Sequence, residues 1–107
     1  MAFYELRQYF ILPGKMDQWI DFFENVILPF QVSKGMVVSG IYRGEEDDSC
    51  FIWTRRFESE EHREKIYAAV YDSEEWKTNI GPKIPEMMDR SKIQVTRLTP
   101  SPRSVAQ

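Results

Sequence analysis

The sequence predicts an α+β fold with the element order strand, helix, strand, strand, helix, strand. Short segments rich in aromatic and β-branched residues predict strands, and two longer segments repeat apolar residues at the spacing of a helix. The second half of the chain repeats the pattern of the first, with Ile20 and Ile66 at equivalent helical places about 46 residues apart. Two such halves build a four-stranded antiparallel sheet with both helices on one face.

The first half begins with a predicted strand over residues 3–12, which the turn-forming pair Pro13-Gly14 ends. Pro29 lacks an N–H and disfavours a helical Leu28, so we expect a kink or a break there. Gly35 is expected to end the helical segment. The segment is predicted to be a helix because its apolar residues share one face: Met16, Trp19, Ile20, Phe23, Val26, Ile27 and Phe30.

The remaining strands are predicted over residues 36–43, 50–57 and 92–98, and the acidic residues 44–49 predict a hairpin loop. Ser59 predicts the start of the second helix, which runs to about Tyr71 with Ile66, Ala69 and Val70 on its inner face. Residues 1–99 are therefore expected to form one ferredoxin-like domain. The Pro- and Ser-rich residues 100–107 are expected to form a flexible tail.

Composition argues against several classes of protein. The 14 basic and 17 acidic residues give a net charge of −3, which argues against binding to a nucleic-acid backbone. No apolar run reaches the roughly 18 residues of a membrane span, and residues 1–10 lack the pattern of a secretory signal. A single cysteine, Cys50, fits a reducing compartment, so we expect a cytoplasmic protein. One histidine and one cysteine argue against a metal site, and no cofactor is expected.

Alternation along the first and third strands sorts their residues into two faces. We expect one set to face the helices, and it includes Tyr4, Leu6, Gln8, Cys50, Ile52 and Thr54, with Ile93 and Val95 of the last strand. The other set is expected to lie on the open face of the sheet, with the large rings of Phe3, Tyr9, Phe51, Trp53 and Phe57. A patch of that size is rare on a monomer, so the pattern predicts a homodimer in which two sheets meet face to face.

The opening residues carry a family resemblance. Residues 4–9, YELRQY, followed by 12–15, LPGK, resemble the first strand and turn of the NIPSNAP family. The resemblance covers about residues 3–99 and continues through Leu28-Pro29, Gly35, the Trp53 strand and residues 59–63. It departs in residues 72–76, DSEEW, where the family's Asp-Pro-Glu-Trp element is one residue shorter.

The NIPSNAP resemblance implies a dimeric α+β barrel with a ferredoxin-like fold. Proteins with that architecture include cofactor-free oxygenases, haem-degrading enzymes and decyclising or isomerising enzymes. The resemblance thus supports the homodimer and leaves the reaction open.

A charged cluster is the first candidate site. Glu5 and Arg7 lie two residues apart on one strand and share a face, and Arg55 is expected on the same face of the third strand. The arginines are suited to binding an anionic or carbonyl-bearing ligand, with Tyr9, Tyr42 and Trp53 adding rings to a pocket. The alternative is a structural ion pair with ordinary interface packing, since a buried charge must be paired.

The only histidine, His62, is the candidate for proton transfer. A histidine titrates near neutral pH, and a helical histidine binds haem iron in some barrels of the resembled architecture. The alternative is a structural histidine in the first turn of the second helix. The sequence therefore supports a small-molecule-binding protein, with a cofactor-independent oxygenase- or isomerase-like enzyme as one form of it. A non-catalytic dimeric scaffold and a haem-binding protein are the other hypotheses.

Overall fold

In the computed structural model, which describes residues 2–107, four antiparallel strands form one sheet in the order β2–β3–β1–β4. The strands are β1 (Phe3–Phe10), β2 (Val37–Arg43), β3 (Cys50–Phe57) and β4 (Gln94–Leu98). The helices are α1 (Met16–Phe22), α2 (Leu28–Ser33) and α3 (Glu60–Tyr71). The predicted α+β class, the antiparallel sheet and the ferredoxin-like strand order are confirmed.

A π-helical turn, Phe23–Ile27, joins α1 to α2 in one continuous helical run. The Leu28 N–H donates to the Phe23 carbonyl five residues earlier, and Pro29, which has no N–H, comes next. The interruption predicted at Leu28 therefore takes the form of a wide turn, and the helix continues to Ser33. Gly35 follows with a φ of 99°, a left-handed conformation that suits glycine and ends the helix as predicted.

The segment between α3 and β4 contains the same combination of a π-helical turn and a proline. A second π-helical turn, Trp76–Ile80, ends with the Gly81 N–H donating to the Trp76 carbonyl, and Pro82 follows directly. The chain then forms two 3₁₀ turns, Gly81–Glu86 and Arg90–Lys92, before it enters β4.

The predicted cap of α3 is confirmed, because the Ser59 hydroxyl accepts a hydrogen bond from the His62 N–H at 3.1 Å. Ile66 and Val70 are buried on the inner face of the helix, while Ala69, expected beside them, is exposed. No helix within residues 2–107 has the length and apolar character needed to cross a membrane.

The expected assignment of the two faces of β1 and β3 is wrong, whereas Ile93 and Val95, expected on the helix side, do lie on that side. The ring-bearing set faces the helices, and Phe51, Trp53 and Phe57 are no more than 1% exposed. The helical run brings its own rings to this face: Trp19 packs edge-on against Phe51 with 5.6 Å between ring centroids, and Phe23 packs against Trp53 at 4.9 Å. Aromatic pairs of this geometry build the core between the sheet and the helices, so the aromatic patch needs no second chain to cover it.

The opposite face of the sheet carries the smaller side chains. Tyr4, Leu6 and Ile52 are partly buried there, and the strand register brings Tyr42 and Leu98 to the same face. The chain beyond β4 crosses part of this surface, because the main-chain oxygen of Gln107 accepts hydrogen bonds from the Tyr4 hydroxyl and the Arg56 guanidinium. The residues expected to form a flexible tail thus have a defined path in this structure.

Candidate functional site

Glu5 and Arg55 lie opposite each other on β1 and β3, on the face that the helices cover. Both side chains are almost fully buried, and Arg55 Nη2 lies 2.6 Å from Glu5 Oε1. Arg63 Nε donates to Glu5 Oε2 at 2.8 Å, and the Tyr67 hydroxyl donates to Glu5 Oε1 at 2.7 Å. Burial alone would raise the pKa of Glu5, but these partners outweigh it and hold the pKa below its usual value. Glu5 therefore carries a fully partnered charge.

Arg55 connects this carboxylate to a second tyrosine. Its Nη1 donates to the Tyr71 hydroxyl at 2.7 Å, and its Nη2 also donates to the Tyr67 hydroxyl. The guanidinium carbon lies 4.8 Å from the Trp53 ring centroid and 4.9 Å from that of Tyr67, which are favourable cation–π positions. Tyr67 and Tyr71 are four residues apart on α3, so both reach the sheet from one helical face.

Arg7 and Tyr9 form a separate pair along β1. Arg7 Nε donates to the Tyr9 hydroxyl at 2.9 Å, and no carboxylate of residues 2–107 forms an ion pair with Arg7. Burial lowers the pKa of the Arg7 guanidinium, but the phenolic oxygens of Tyr9 and Tyr71 outweigh it and raise the pKa above its ordinary value. Burial also raises the pKa of Tyr9. Arg7 is therefore charged and Tyr9 is neutral at physiological pH.

A cavity of about 90 Å³ lies between the sheet and the helices beside this pair. All three tryptophans of the chain line it, together with apolar residues of the helical run and of the segment before β4. Its polar lining consists of Arg7, Tyr9, Gln31, Tyr71 and Arg90. Arg90 is exposed, so the cavity reaches solvent on that side.

Polar atoms of the cavity lining lack partners within the described chain. The indole nitrogens of Trp19 and Trp53 and the side-chain oxygen of Gln31 are buried and make no hydrogen bond with residues 2–107. An unsatisfied buried polar group costs roughly 1–3 kcal/mol and calls for an explanation in a native structure. The three side chains that carry these atoms all line the one cavity.

The lining is rich in hydrogen-bond donors and holds no side chain that acts readily as a base. No carboxylate, imidazole or thiol lines the cavity among the residues that the structure describes. No cluster of three or more histidine, cysteine or acidic side chains is placed to hold a metal ion anywhere in residues 2–107. The cavity therefore offers positive charge and hydrogen-bond donors, with the Gln31 amide as an acceptor.

The NIPSNAP family profile matches residues 4–102, nearly the whole chain. The protein belongs to the NIPSNAP family. A NIPSNAP family protein from Agrobacterium tumefaciens has a TM-score of 0.89 at 16% identity, with complete coverage of both chains. An uncharacterized NIPSNAP-like domain protein from Burkholderia xenovorans has a TM-score of 0.85 at 19% identity, over 96% of this chain and 88% of that one.

A second NIPSNAP family protein from Agrobacterium tumefaciens, of unknown function, has a TM-score of 0.88 at 20% identity, over 99% of this chain and 94% of that one. No curated protein matches this chain. The structural similarities confirm the fold of this NIPSNAP chain, and the resemblance inferred from its opening strand is confirmed.

The predicted site residues of this NIPSNAP protein lie at three different places. Arg7, Tyr9 and Trp53 line the cavity, whereas Glu5 and Arg55 form the ion pair behind it. Tyr42 lies on the opposite face of the sheet and is 59% exposed, so it adds no ring to the cavity. The structural ion pair considered from the sequence forms between Glu5 and Arg55, and a cavity lies beside Arg7, Tyr9 and Trp53; ligand binding there stays a prediction.

His62 lies outside the cavity lining. Its Nδ1 accepts a hydrogen bond from the Glu58 N–H at 3.0 Å, and its ring packs edge-on against Phe57 at 6.1 Å. His62 thus has local contacts at the start of α3, which correspond to the structural alternative considered for it.

Sequence reasoning missed several residues of the site. Trp19 and Trp76 were assigned to packing, and Gln31 and Tyr71 carried no assignment, although all four line the cavity. The four-residue spacing of Arg63, Tyr67 and Tyr71 was a usable signal, because it places three polar side chains in one stripe of α3. Gln31 gave no such signal, since its position depends on the π-helical turn before it.

Proposed function

We propose that this NIPSNAP protein binds a compact small molecule in the cavity beside Arg7 and Tyr9. One observation carries the proposal: a cavity with an aromatic wall, lined by Trp19 and Trp53, lies beside the charged guanidinium of Arg7, which has no carboxylate partner in the described chain. A cavity with a few convergent polar groups in an aromatic wall is the usual form of a small-molecule site.

The size of the cavity limits the ligand. A protein cavity of about 150 Å³ holds benzene, and pockets for drug-sized molecules measure roughly 300–1,000 Å³. The volume of about 90 Å³ therefore fits a molecule of a few non-hydrogen atoms. The donors in the wall favour a ligand that accepts hydrogen bonds, either an anion or a carbonyl compound.

The primary function that we propose is ligand binding. A protein that also converts its ligand would catalyse a cofactor-independent reaction of the oxygenase or isomerase type. In that form Arg7 and the indole N–H groups would stabilise negative charge that develops on a bound oxygen. Tyr9 would be the proton donor in that form because its hydroxyl lies in the lining beside Arg7, and the raised pKa means that it is protonated before the reaction. His62, the other candidate for proton transfer, does not line the cavity.

Tryptophan fluorescence tests the proposal directly, because all three tryptophans line the cavity. Short-chain carboxylates and small carbonyl compounds are titrated into the full chain, with thermal shift as a second readout. We expect a saturable response that Arg7→Gln weakens and that Arg103→Gln, a charge-matched change in the exposed tail, leaves intact. No saturable response to any compound of either class would contradict the proposal.

We also propose that the protein forms a homodimer through the sheet face opposite the helices. Val37, Tyr42 and Leu98 are between 40% and 59% exposed on this face, beside the partly buried Leu6 and Ile52. A twofold contact between two such faces would cover these side chains. This surface replaces the aromatic face on which the sequence-based argument for a homodimer relied.

Sedimentation velocity at micromolar concentration tests the dimer. We expect a dimer that Tyr42→Glu dissociates and that Val26→Glu, on the outer surface of the helical run, leaves intact. A monomeric wild-type chain would contradict the dimer. A dimer without any ligand response would favour the second candidate function, a non-catalytic scaffold.

For cellular location we propose the cytoplasm. The chain has a single cysteine, Cys50, and it is a free thiol in the structure. A protein without disulfides fits a reducing compartment. Fractionation of cells that express the untagged chain tests this proposal.

A further inference from the structure

The charge of Arg7, a side chain in the cavity lining, determines which ligand charge the cavity favours. The buried arginine behind it, Arg55, is paired with Glu5, and Arg63 is paired with Glu5 and Glu60. The hydrogen bond of Arg7 goes to the neutral hydroxyl of Tyr9, and no acidic side chain lines the cavity in the described residues. A partly buried charge without a counter-charge is costly, so the site is incomplete without an anion.

The arginines also fix the direction in which two hydroxyl groups donate. A guanidinium only donates hydrogen bonds, so the oxygens of Tyr9 and Tyr71 must accept those from Arg7 and Arg55. The proton of Tyr9 then needs another acceptor, and residues 2–107 supply none to it. The proton of Tyr71 has one within reach, because the Gln31 amide lies 3.5 Å from the hydroxyl and can present its oxygen. Arg7 and Tyr9 of β1 thus offer hydrogens beside one small cavity.

We propose that the cavity selects the ionised form of a short-chain carboxylic acid over uncharged and cationic molecules of the same shape. This inference rests on the proposed binding function and narrows its ligand to one class. A carboxylate is negatively charged and has two acceptor oxygens and no donor, so it complements the guanidinium of Arg7 and the hydroxyl of Tyr9 together. Arg90, exposed at the solvent side of the cavity, adds a positive charge on the path of entry.

Molecules of the same shape that lack the negative charge and the two acceptor oxygens of a carboxylate are disfavoured by the cavity lining. A primary amide carries no charge, so it leaves Arg7 without a counter-charge, and it has an NH₂ group in place of the second acceptor oxygen. An alkylamine is protonated near neutral pH and brings a positive charge next to Arg7. Discrimination of this kind comes from unfavourable contacts with the wrong ligand as much as from favourable ones with the right ligand.

The test compares propanoate, propanamide and propylamine at pH 7 by tryptophan fluorescence and calorimetry. Ionic strength is held constant with sodium gluconate, whose anion is too large for a cavity of about 90 Å³. We expect propanoate to bind roughly tenfold more tightly than propanamide or better, the size of effect that charge-assisted hydrogen bonds give. Propylamine is expected to give no saturable response.

Equal or tighter binding of propanamide would overturn the inference while leaving the proposed binding function intact. Absence of a saturable response to all three compounds would instead contradict the binding function itself. The two failures are therefore distinguishable in one experiment.

Variants test the assignment to Arg7. Arg7→Gln is expected to reduce propanoate binding to the level of propanamide, whereas Arg103→Gln keeps the wild-type preference. If Arg7→Gln does not fold, Tyr9→Phe replaces it, and we expect it to weaken propanoate binding several-fold through loss of one donor. A wild-type preference for propanoate in folded Arg7→Gln, or wild-type propanoate affinity in Tyr9→Phe, would overturn the assignment.

Discussion

Glu5 and Arg55, fifty residues apart in the chain, form a 2.6 Å ion pair between the two central strands, and both side chains are at most 1% exposed. Arg63 and Tyr67 complete the contacts of the carboxylate. The pair fixes the register of β1 against β3 under the helices, because any slip of the strands would separate two buried charges.

Glu5→Gln is expected to lower the free energy of unfolding by about 3 kcal/mol or more, because it leaves Arg55 buried without a counter-charge. Urea unfolding measures the loss. The double variant Glu5→Gln with Arg55→Met is expected to lose less than the sum of the two single changes. The matched surface variant Glu58→Gln, whose partner Arg56 lies in water, should stay close to wild type, and an equal loss in both carboxylate variants would contradict the argument.

Stability should fall in acid because of the same carboxylate. The pKa of folded Glu5 lies below its ordinary value of 4.5, so its contribution is present above pH 4.5 and is lost as pH falls through the lower value. Melting temperatures between pH 7 and pH 3 should show a smaller loss for Glu5→Gln than for wild type. The exposed carboxyls Glu58, Asp47 and Asp89 titrate in both proteins, so the difference isolates Glu5. Parallel curves would refute this assignment.

Stability should also fall in alkali, because of the Tyr67 hydroxyl. Burial, with the neighbouring Glu5, raises the pKa of its hydroxyl to about 12 from 10.0. Its contribution to stability is therefore present below pH 10 and is lost as pH rises toward 12. Absorbance titration of tyrosinate should show a late component whose amplitude Tyr67→Phe reduces. An unchanged late amplitude in Tyr67→Phe would disagree with the structure.

Trp53→Phe separates stability from binding. The indole N–H of Trp53 is buried and unpaired in the described chain, so its removal relieves a cost that offsets part of the lost ring contact. We expect the free energy of unfolding to change by about 1 kcal/mol or less while propanoate binding weakens by several-fold. The opposite result, a large loss of stability with unchanged binding, would assign Trp53 to packing alone.

His62→Ala is expected to leave ligand binding unchanged, because the side chain contacts the start of α3 and not the cavity. Ser59→Ala should cost about 1 kcal/mol through loss of the helix cap. Hemin titration of wild type and His62→Ala addresses haem binding, for which we expect no Soret band that depends on His62. A Soret band lost in His62→Ala would restore the haem hypothesis.

The order of strands and helices could be predicted because each element carries its own local signal. Residues 50–57 alternate throughout and Ser59 caps α3, so both elements were placed correctly from the sequence alone. Strand alternation separates two faces but does not say which of them the helices cover. Glu5 and Arg55 lie on the same face as the aromatic set, and their burial depends on contacts with α3, such as that between Arg63 and Glu5, which alternation along a strand does not report.

The candidate site was predicted in part for the same reason. Arg7, Tyr9 and Trp53 share a strand face, which the period-two pattern gives directly. The other wall comes from the helical run and from the segment before β4, whose irregular turns have no simple period in the sequence. Trp76 and Gln31 therefore reach the cavity by a path that a helical wheel does not describe.

Pro29 and Pro82 stand directly after the two π-helical turns, and neither contacts the cavity. A π-helical turn adds one residue to a helix, which rotates everything after it by about 100°. Gln31 and Ile84, each two residues beyond one of these prolines, owe their inward orientation to that rotation. In a relative without Pro29, an ordinary helical turn would carry Gln31 out toward solvent. The residues that line the cavity would then differ among relatives because of prolines that do not themselves line it.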